Sequence, residues 1–267
     1  PPRSTLFPYT TLFRSTTNKT INKYTKEAIK KVIDKGHIVV LATGRSYLGT
    51  IDHYESLGLN TPMITLHGGV ISFLNGKTFS HKINSKLIYD LSNNLKDYIV
   101  TAVYNASDKV YSLNHSDELE RVFNGANNKN KEEFDINNIS EEIVNIAVAI
   151  NSEHTETFES YFKDKDLVAR SWGEFNGVAF YDIHLKNVSK ASALKEVLNY
   201  YNIDTNKLIT FGDGPNDLEM LKMAKIGVAM KNAYLEAKAF ASSTTKHDND
   251  NDGVGYHLNY LLDKNIL

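Results

Sequence analysis

The run His37–Thr43, HIVVLAT, is the feature that most limits the fold, because it reads as one continuous apolar strand. Strands of that kind are buried on both faces, as happens in a parallel sheet covered by helices. Ahead of it, Ile21, Tyr24, Ala28, Ile29, Val32 and Ile33 recur at helical spacing, and Gly36 stands where a left-handed C-terminal cap belongs. A second helix-like stretch surrounds Tyr47 to Leu57, and PMITLHG follows as another buried strand. Helix, strand, helix, strand is the rhythm of a doubly wound parallel α/β sheet.

That rhythm breaks near Lys82. From there to about Lys186 the sequence predicts helices at Ser85–Tyr98 and Glu153–Phe162. It predicts strands at Ile99–Tyr104, Lys109–Leu113, Ile143–Ile150, Leu167–Trp172 and Val178–Leu185, with a solvated connection at Asn124–Glu142. Several of these strands alternate apolar and polar residues, which suits an antiparallel sheet with one wet face. Residues 82–186 therefore read as an inserted α+β domain. The α/β rhythm resumes with a helix at Ser189–Tyr201, a strand at Lys207–Phe211, a helix at Asp217–Ala224 and a strand at Ile226–Ala229. The core is thus residues 16–81 and 187–267.

Composition excludes several functions. A net charge of −2 lacks the basic excess of a nucleic-acid binder. No apolar run approaches the roughly 20 residues needed to cross a bilayer. With no cysteine, disulfides, zinc thiolates and cysteine nucleophiles are all ruled out. A cytoplasmic enzyme fits these limits.

The first fifteen residues do not match the rest. PPRSTLFPYTTLFRS contains no acidic residue and holds three of the chain's five prolines. Thr5 to Ser15 also resembles an in-frame translation of a sequencing-library adapter. The alternative is a native, proline-interrupted strand; the foreign origin is the reading adopted.

The chemistry concentrates in KLITFGDGPNDLEMLKMAKIGVAMKNA, Lys207 to Ala233. A buried strand delivers Gly212-Asp213-Gly214-Pro215-Asn216-Asp217 at its C-terminal end, where open α/β sheets bind ligands. Asp213 and Asp217, four residues apart on a glycine-containing turn, can both face one hard cation such as Mg²⁺. Asn216 can cap the helix that follows. A lone GDG would be an ordinary polar turn; the buried strand before it and GVAM after it shift the balance.

GDGPND with its downstream DLEMLKMAKIGVAMKNA, and later Asp252-Gly253-Val254, resembles the fourth motif and tail of Cof-type phosphatases of the haloacid dehalogenase superfamily. LATGR, Leu41–Arg45, resembles the second motif, and NVSKASAL, Asn187–Leu194, the third. The resemblance runs from about Thr20 to the C-terminus in the order core, cap, core. It implies hydrolysis of a phosphate monoester on a small phosphorylated metabolite, with Mg²⁺ as cofactor. Thr43 would offer its hydroxyl, and Gly44 its N–H, to phosphoryl oxygens. Lys190 would neutralise charge, and Asn216 would order its loop. Asp213 would bind metal directly, and Asp217 would be either a ligand or an orienting group. Arg45 would contact substrate or remain a surface group. The inserted domain would cover the strand edge and select the substrate.

Two departures stand out. The family's first motif, Asp-x-Asp-Gly-Thr, supplies the nucleophile that becomes an aspartyl-phosphate. Counting back places it near Tyr9 to Phe13, where this chain has no aspartate. A strained or absent central strand is expected there, because Pro8 cannot donate a ladder hydrogen bond. The second departure is His67-Gly68, where the family often has Asn-Gly; His67 could line the site, and the reading adopted is a loop histidine satisfied by backbone. The missing carboxylate leaves open a non-catalytic phosphate-binding pseudo-phosphatase. Asp248–Gly253 resembles the start of a calcium loop, but its twelfth position would be Asn259, which cannot give a bidentate carboxylate.

Overall fold

The computed structural model describes residues 6–9 (backbone only), 20–107, 109–116, 131–135 and 142–267. The chain divides into two compact units, one comprising the residues up to Gly44 with Thr50–Thr78 and Ser189–Leu267. The other comprises Arg45–Gly49 and Phe79–Val188.

The first unit is built on an eight-stranded sheet whose last strand passes at Thr78 into the other unit. Its members are β1 (Leu6–Tyr9), β2 (Ile38–Ala42), β3 (Met63–Thr65), β4 (Val70–Ser72) and β5 (Thr78–Ser80), then β12 (Ile209–Gly212), β13 (Ile226–Ala229) and β14 (Ser243–Thr244). Their spatial order is β14-β13-β12-β1-β2-β3-β4-β5, and the pairs from β14 to β3 are all parallel. The continuous apolar character of HIVVLAT follows from its two covered faces. Val39 and Leu41 pack with Ile209 and Phe211 under α1 (Lys23–Asp34) and α8 (Gly253–Asp263). Val40 and Ala42 face the other way, onto Ala193, Leu194 and Val197 of α5 (Lys190–Tyr201). Each fully buried side chain of this size contributes about 1.5–3 kcal/mol.

The second unit carries a six-stranded sheet of β6 (Ile99–Asn105), β7 (Val110–Leu113), β8 (Lys131–Glu133), β9 (Asn145–Asn151), β10 (Leu167–Phe175) and β11 (Val178–Leu185). The order is β10-β11-β9-β6-β7-β8, antiparallel except for the β7–β8 pair. One face packs Tyr104, Ile146, Val148 and Tyr181 against Ile88, Leu91 and Leu95 of α3 (Ser85–Leu95) and Phe158 of α4 (Thr155–Ser160).

Several elements differ from the sequence reading. β4 pairs antiparallel with β3, so the sheet is parallel only in its middle and at one side. The apolar run after PMITLHG turns back on itself because Leu66, His67 and Gly68 all take positive φ. Helix α2 (Ile51–Ser56) is shorter than expected, and the segment read as a helix at Glu153–Phe162 begins as a 3-10 turn. Helix α6 (Leu218–Met223) lies within the expected Asp217–Ala224 helix, whereas α7 (Leu235–Phe240) and α8 were not anticipated. The Asp248–Gly253 stretch serves α8: Asp252 accepts hydrogen bonds from the Thr25 N–H at 3.2 Å and its hydroxyl at 2.6 Å, tying α8 to α1. β8 falls inside the expected solvated connection, whose remaining polar stretch lies largely outside the described residues.

The central strand, expected to be strained or absent, is present. Residues 6–9 form β1, paired with β2 from Leu6↔Ile38 to Tyr9↔Leu41 and with β12 at Tyr9↔Phe211. A parallel strand needs only alternate N–H groups on each side, so one proline does not prevent the pairing. Beyond Tyr9, the positions expected to hold the first motif lie outside the described residues.

Candidate active site

Two loops leave the sheet at the same edge. β2 and β12 are both parallel to β1 and both pair with Tyr9, through Leu41 and Phe211. Thr43 and Asp213 each stand two residues further on. Thr43 is buried, donates its N–H to Ile64 O at 2.9 Å and accepts the His67 N–H at 3.1 Å. Gly44 follows it. Arg45 belongs to the second unit, and burial lowers the pKa of its guanidinium.

The GDGPND loop is organised around Asp217. Its Oδ2 accepts the N–H groups of Asp213 at 2.8 Å and Gly214 at 3.1 Å, while Oδ1 accepts the Lys190 ammonium at 2.9 Å. Lys190 is 3% exposed and Asp217 1%, so this is a buried ion pair. Gly212 allows the close return, since a Cβ there would lie 2.5 Å from the Asp217 Cβ. Lys190 opens α5 behind its cap Ser189, whose hydroxyl accepts the Ser192 N–H at 3.2 Å. Burial alone would raise the Asp217 pKa. The charge and hydrogen bond of Lys190, with the Gly214 and Asp213 amides, outweigh it and hold the carboxyl below its usual value.

A carboxyl held down in the folded state stabilises fully above its unfolded pKa of about 3.9 and loses that contribution as pH falls through the folded value. Acidification from pH 5 towards pH 2 is therefore expected to lower Tm more in the parent than in Lys190→Met, where less depression remains. Equal slopes in a calorimetric series would contradict this assignment.

Asn216 does not cap a helix. Its Nδ2 lies 3.2 Å from the His67 Nδ1, and the His67 ring is 5% exposed. His67 thus engages a side chain of the opposite loop, where the sequence suggested a backbone partner. The left-handed turn brings it there, and the only sequence signal was the departure from Asn-Gly. Among the described residues no cluster of three histidine or carboxylate side chains gathers as a metal site. Asp217 has both oxygens engaged, by Lys190 and by the Asp213 and Gly214 amides. No helix of the described residues is long and apolar enough to cross a membrane.

The family model for haloacid dehalogenase-like hydrolases matches residues 10–258. The chain belongs to that family. The Cof-type resemblance read from LATGR, NVSKASAL and GDGPND places the chain among the family's phosphatase-like members. Bacillus subtilis YitU, named as a 5-amino-6-(5-phospho-D-ribitylamino)uracil phosphatase, is 29% identical over 252 residues, covering 90% of this chain and 91% of the relative. A Metamycoplasma hominis protein with a phosphatase name is 30% identical over 263 residues, covering 94% and 93%. The crystal structure of TM0651 from Thermotoga maritima superposes with a TM-score of 0.81 at 22% identity, over 96% of this chain and 97% of that one, and shows the shared fold.

Proposed function

We propose that this chain carries the phosphoryl-binding half of a Mg²⁺-dependent phosphate-monoester hydrolase, and that as written it lacks the aspartate that would attack phosphorus. The shared register carries the reading: Thr43 and Asp213 leave strands on either side of β1 at one sheet edge, and Asp217 bonds Lys190 into the Asp213 loop. Thr43 would donate its hydroxyl to a phosphoryl oxygen, and Gly44 its N–H. An ammonium has three donors; Asp217 takes one from Lys190, and the others would meet phosphoryl oxygens. Asn216 would fix the loop, and Arg45 would touch the substrate.

Magnesium fits this donor set in its common mode, one or two carboxylates completed by waters and substrate phosphate oxygens. Asp213 would hold it, with Asp217 orienting the loop behind. When bound, such an ion neutralises phosphoryl charge. The substrate class is a small phosphorylated metabolite, in line with the phosphatase names of the relatives. Residues 82–186 would act as the selecting cap.

The acid-free Pro1–Ser15 favours a second reading, a pseudo-phosphatase that binds phosphate without cleaving esters. Both readings require the phosphoryl site. Calorimetric titration of the full chain with inorganic phosphate and MgCl₂ should therefore show binding. Thr43→Val should weaken it by about tenfold or more, the value of a hydrogen bond to a charged group. No heat at millimolar phosphate, with or without magnesium, would remove the phosphoryl site from the chain.

A further inference from the structure

The turn Leu66–Gly68 meets all three motif stretches. Its residues have φ of 48°, 58° and 101°, a left-handed run that leucine and histidine adopt only when their surroundings hold them there. The His67 N–H donates to Thr43 O at 3.1 Å. Its ring edge lies so near Gly44 that a Cβ there would be 2.4 Å from Cε1 and 2.5 Å from Nε2. Nδ1, which would lie 3.0 Å from the same Cβ, pairs with Asn216 Nδ2 at 3.2 Å. One residue on, a Cβ at Gly68 would fall 2.2 Å from Ser189 O, immediately before Lys190. A histidine that merely filled the core would need neither a left-handed backbone nor a glycine against its ring at position 44.

We infer that His67 is a positioning residue of the phosphoryl site, its ring setting the spacing between the Gly44 backbone and the Asn216 loop. The inference deepens the proposed phosphoryl-binding reading and rests on it. Sites of this kind work only when their donors are held within about 0.5 Å of the productive geometry. The 3.2 Å approach of Nδ1 to the Asn216 amide also ties the Asn216 side chain to the ring. The imidazole thereby fixes both the spacing of the two loops and the orientation of the Asn216 amide.

The test compares His67→Gly and His67→Asn in the full chain. Glycine keeps the positive φ and deletes the ring; asparagine tolerates the same φ and restores a polar side chain. Amide hydrogen exchange is read without ligand, and inorganic phosphate affinity is read by calorimetry. In His67→Gly, exchange at Asp213, Gly214 and Asp217 should accelerate roughly tenfold, the opening expected from one lost hydrogen bond, while α1 and α8 stay unchanged. Phosphate affinity should fall by a similar factor, and His67→Asn should recover part of both losses. Unchanged loop exchange in His67→Gly, or acceleration spread evenly through the unit, overturns the positioning role. A loosened loop in a chain that binds no phosphate even as the parent upholds the positioning role and sinks the phosphoryl reading instead.

Discussion

Replacing Pro1–Ser15 with an apolar strand ending in Asp-x-Asp-Gly-Thr is expected to raise kcat on p-nitrophenyl phosphate by a factor on the order of 10⁶. The magnitude comes from the loss seen when a covalent nucleophile is deleted from a serine-protease triad. The geometry explains why the repair belongs there. Tyr9 is the partner of both Leu41 and Phe211, each two residues short of Thr43 and Asp213. A carboxylate two residues beyond the Tyr9 position would emerge between them, next to the loop that Asp217 holds. Repair should also add stability, since a proline in a central strand withholds one ladder donor. The assay is run with and without Mg²⁺. Strong Mg²⁺-dependent turnover by the unrepaired chain, abolished by Asp213→Ala, would show that the nucleophile lies elsewhere. A well-folded repaired chain, silent on a broad panel of phosphate esters, would favour the pseudo-phosphatase.

The parts of this architecture that were legible in the sequence are those where burial forces a pattern. HIVVLAT reads as a two-faced strand because Val39 and Leu41 serve one helix layer, while Val40 and Ala42 serve the other. The alternation of Val178–Leu185 reads as a strand, but the wet face it implied is covered: Asp182 and His184 are each 2% exposed. GDGPND is legible because a buried strand runs into it and GVAM follows it. What the sequence hides is the choice each polar side chain makes among partners. Asp217 and Asp213 look equivalent as letters. Only the fold decides that Asp217 faces Lys190 and two amides, a partner set that no spacing rule encodes. The Asn216 partner of His67 was hidden on the same ground, because it is 149 residues away. The β4–β5 edge and the left-handed turn before it escape periodicity because a three-residue strand carries too little pattern.

Asp217→Ala is expected to destabilise the chain by about 3–5 kcal/mol, the cost of removing one partner from a buried ion pair. The substitution strands the Lys190 ammonium at 3% exposure and leaves the Asp213 and Gly214 amides without their acceptor. Lys190→Met should cost less, because Asp217 keeps both amide hydrogen bonds and the methionine fills much of the lysine stem's space. The double variant should be more stable than Asp217→Ala alone, since no unpaired cation then remains inside. Urea unfolding of the three variants measures this order. Domain stabilities of about 5–15 kcal/mol leave room for the larger loss only if the parent is not already marginal. Lys190→Met therefore keeps the comparison readable if Asp217→Ala fails to fold. An Asp217→Ala chain within about 1 kcal/mol of the parent would mean that the pair is wet and screened, as exposed pairs are. It would also remove the reason for treating Asp217 as the anchor of the loop. The same variants separate stability from ligand binding: Lys190→Met should lose phosphate affinity while keeping most of its fold. That combination arises only if the lysine serves the ligand as well as the loop.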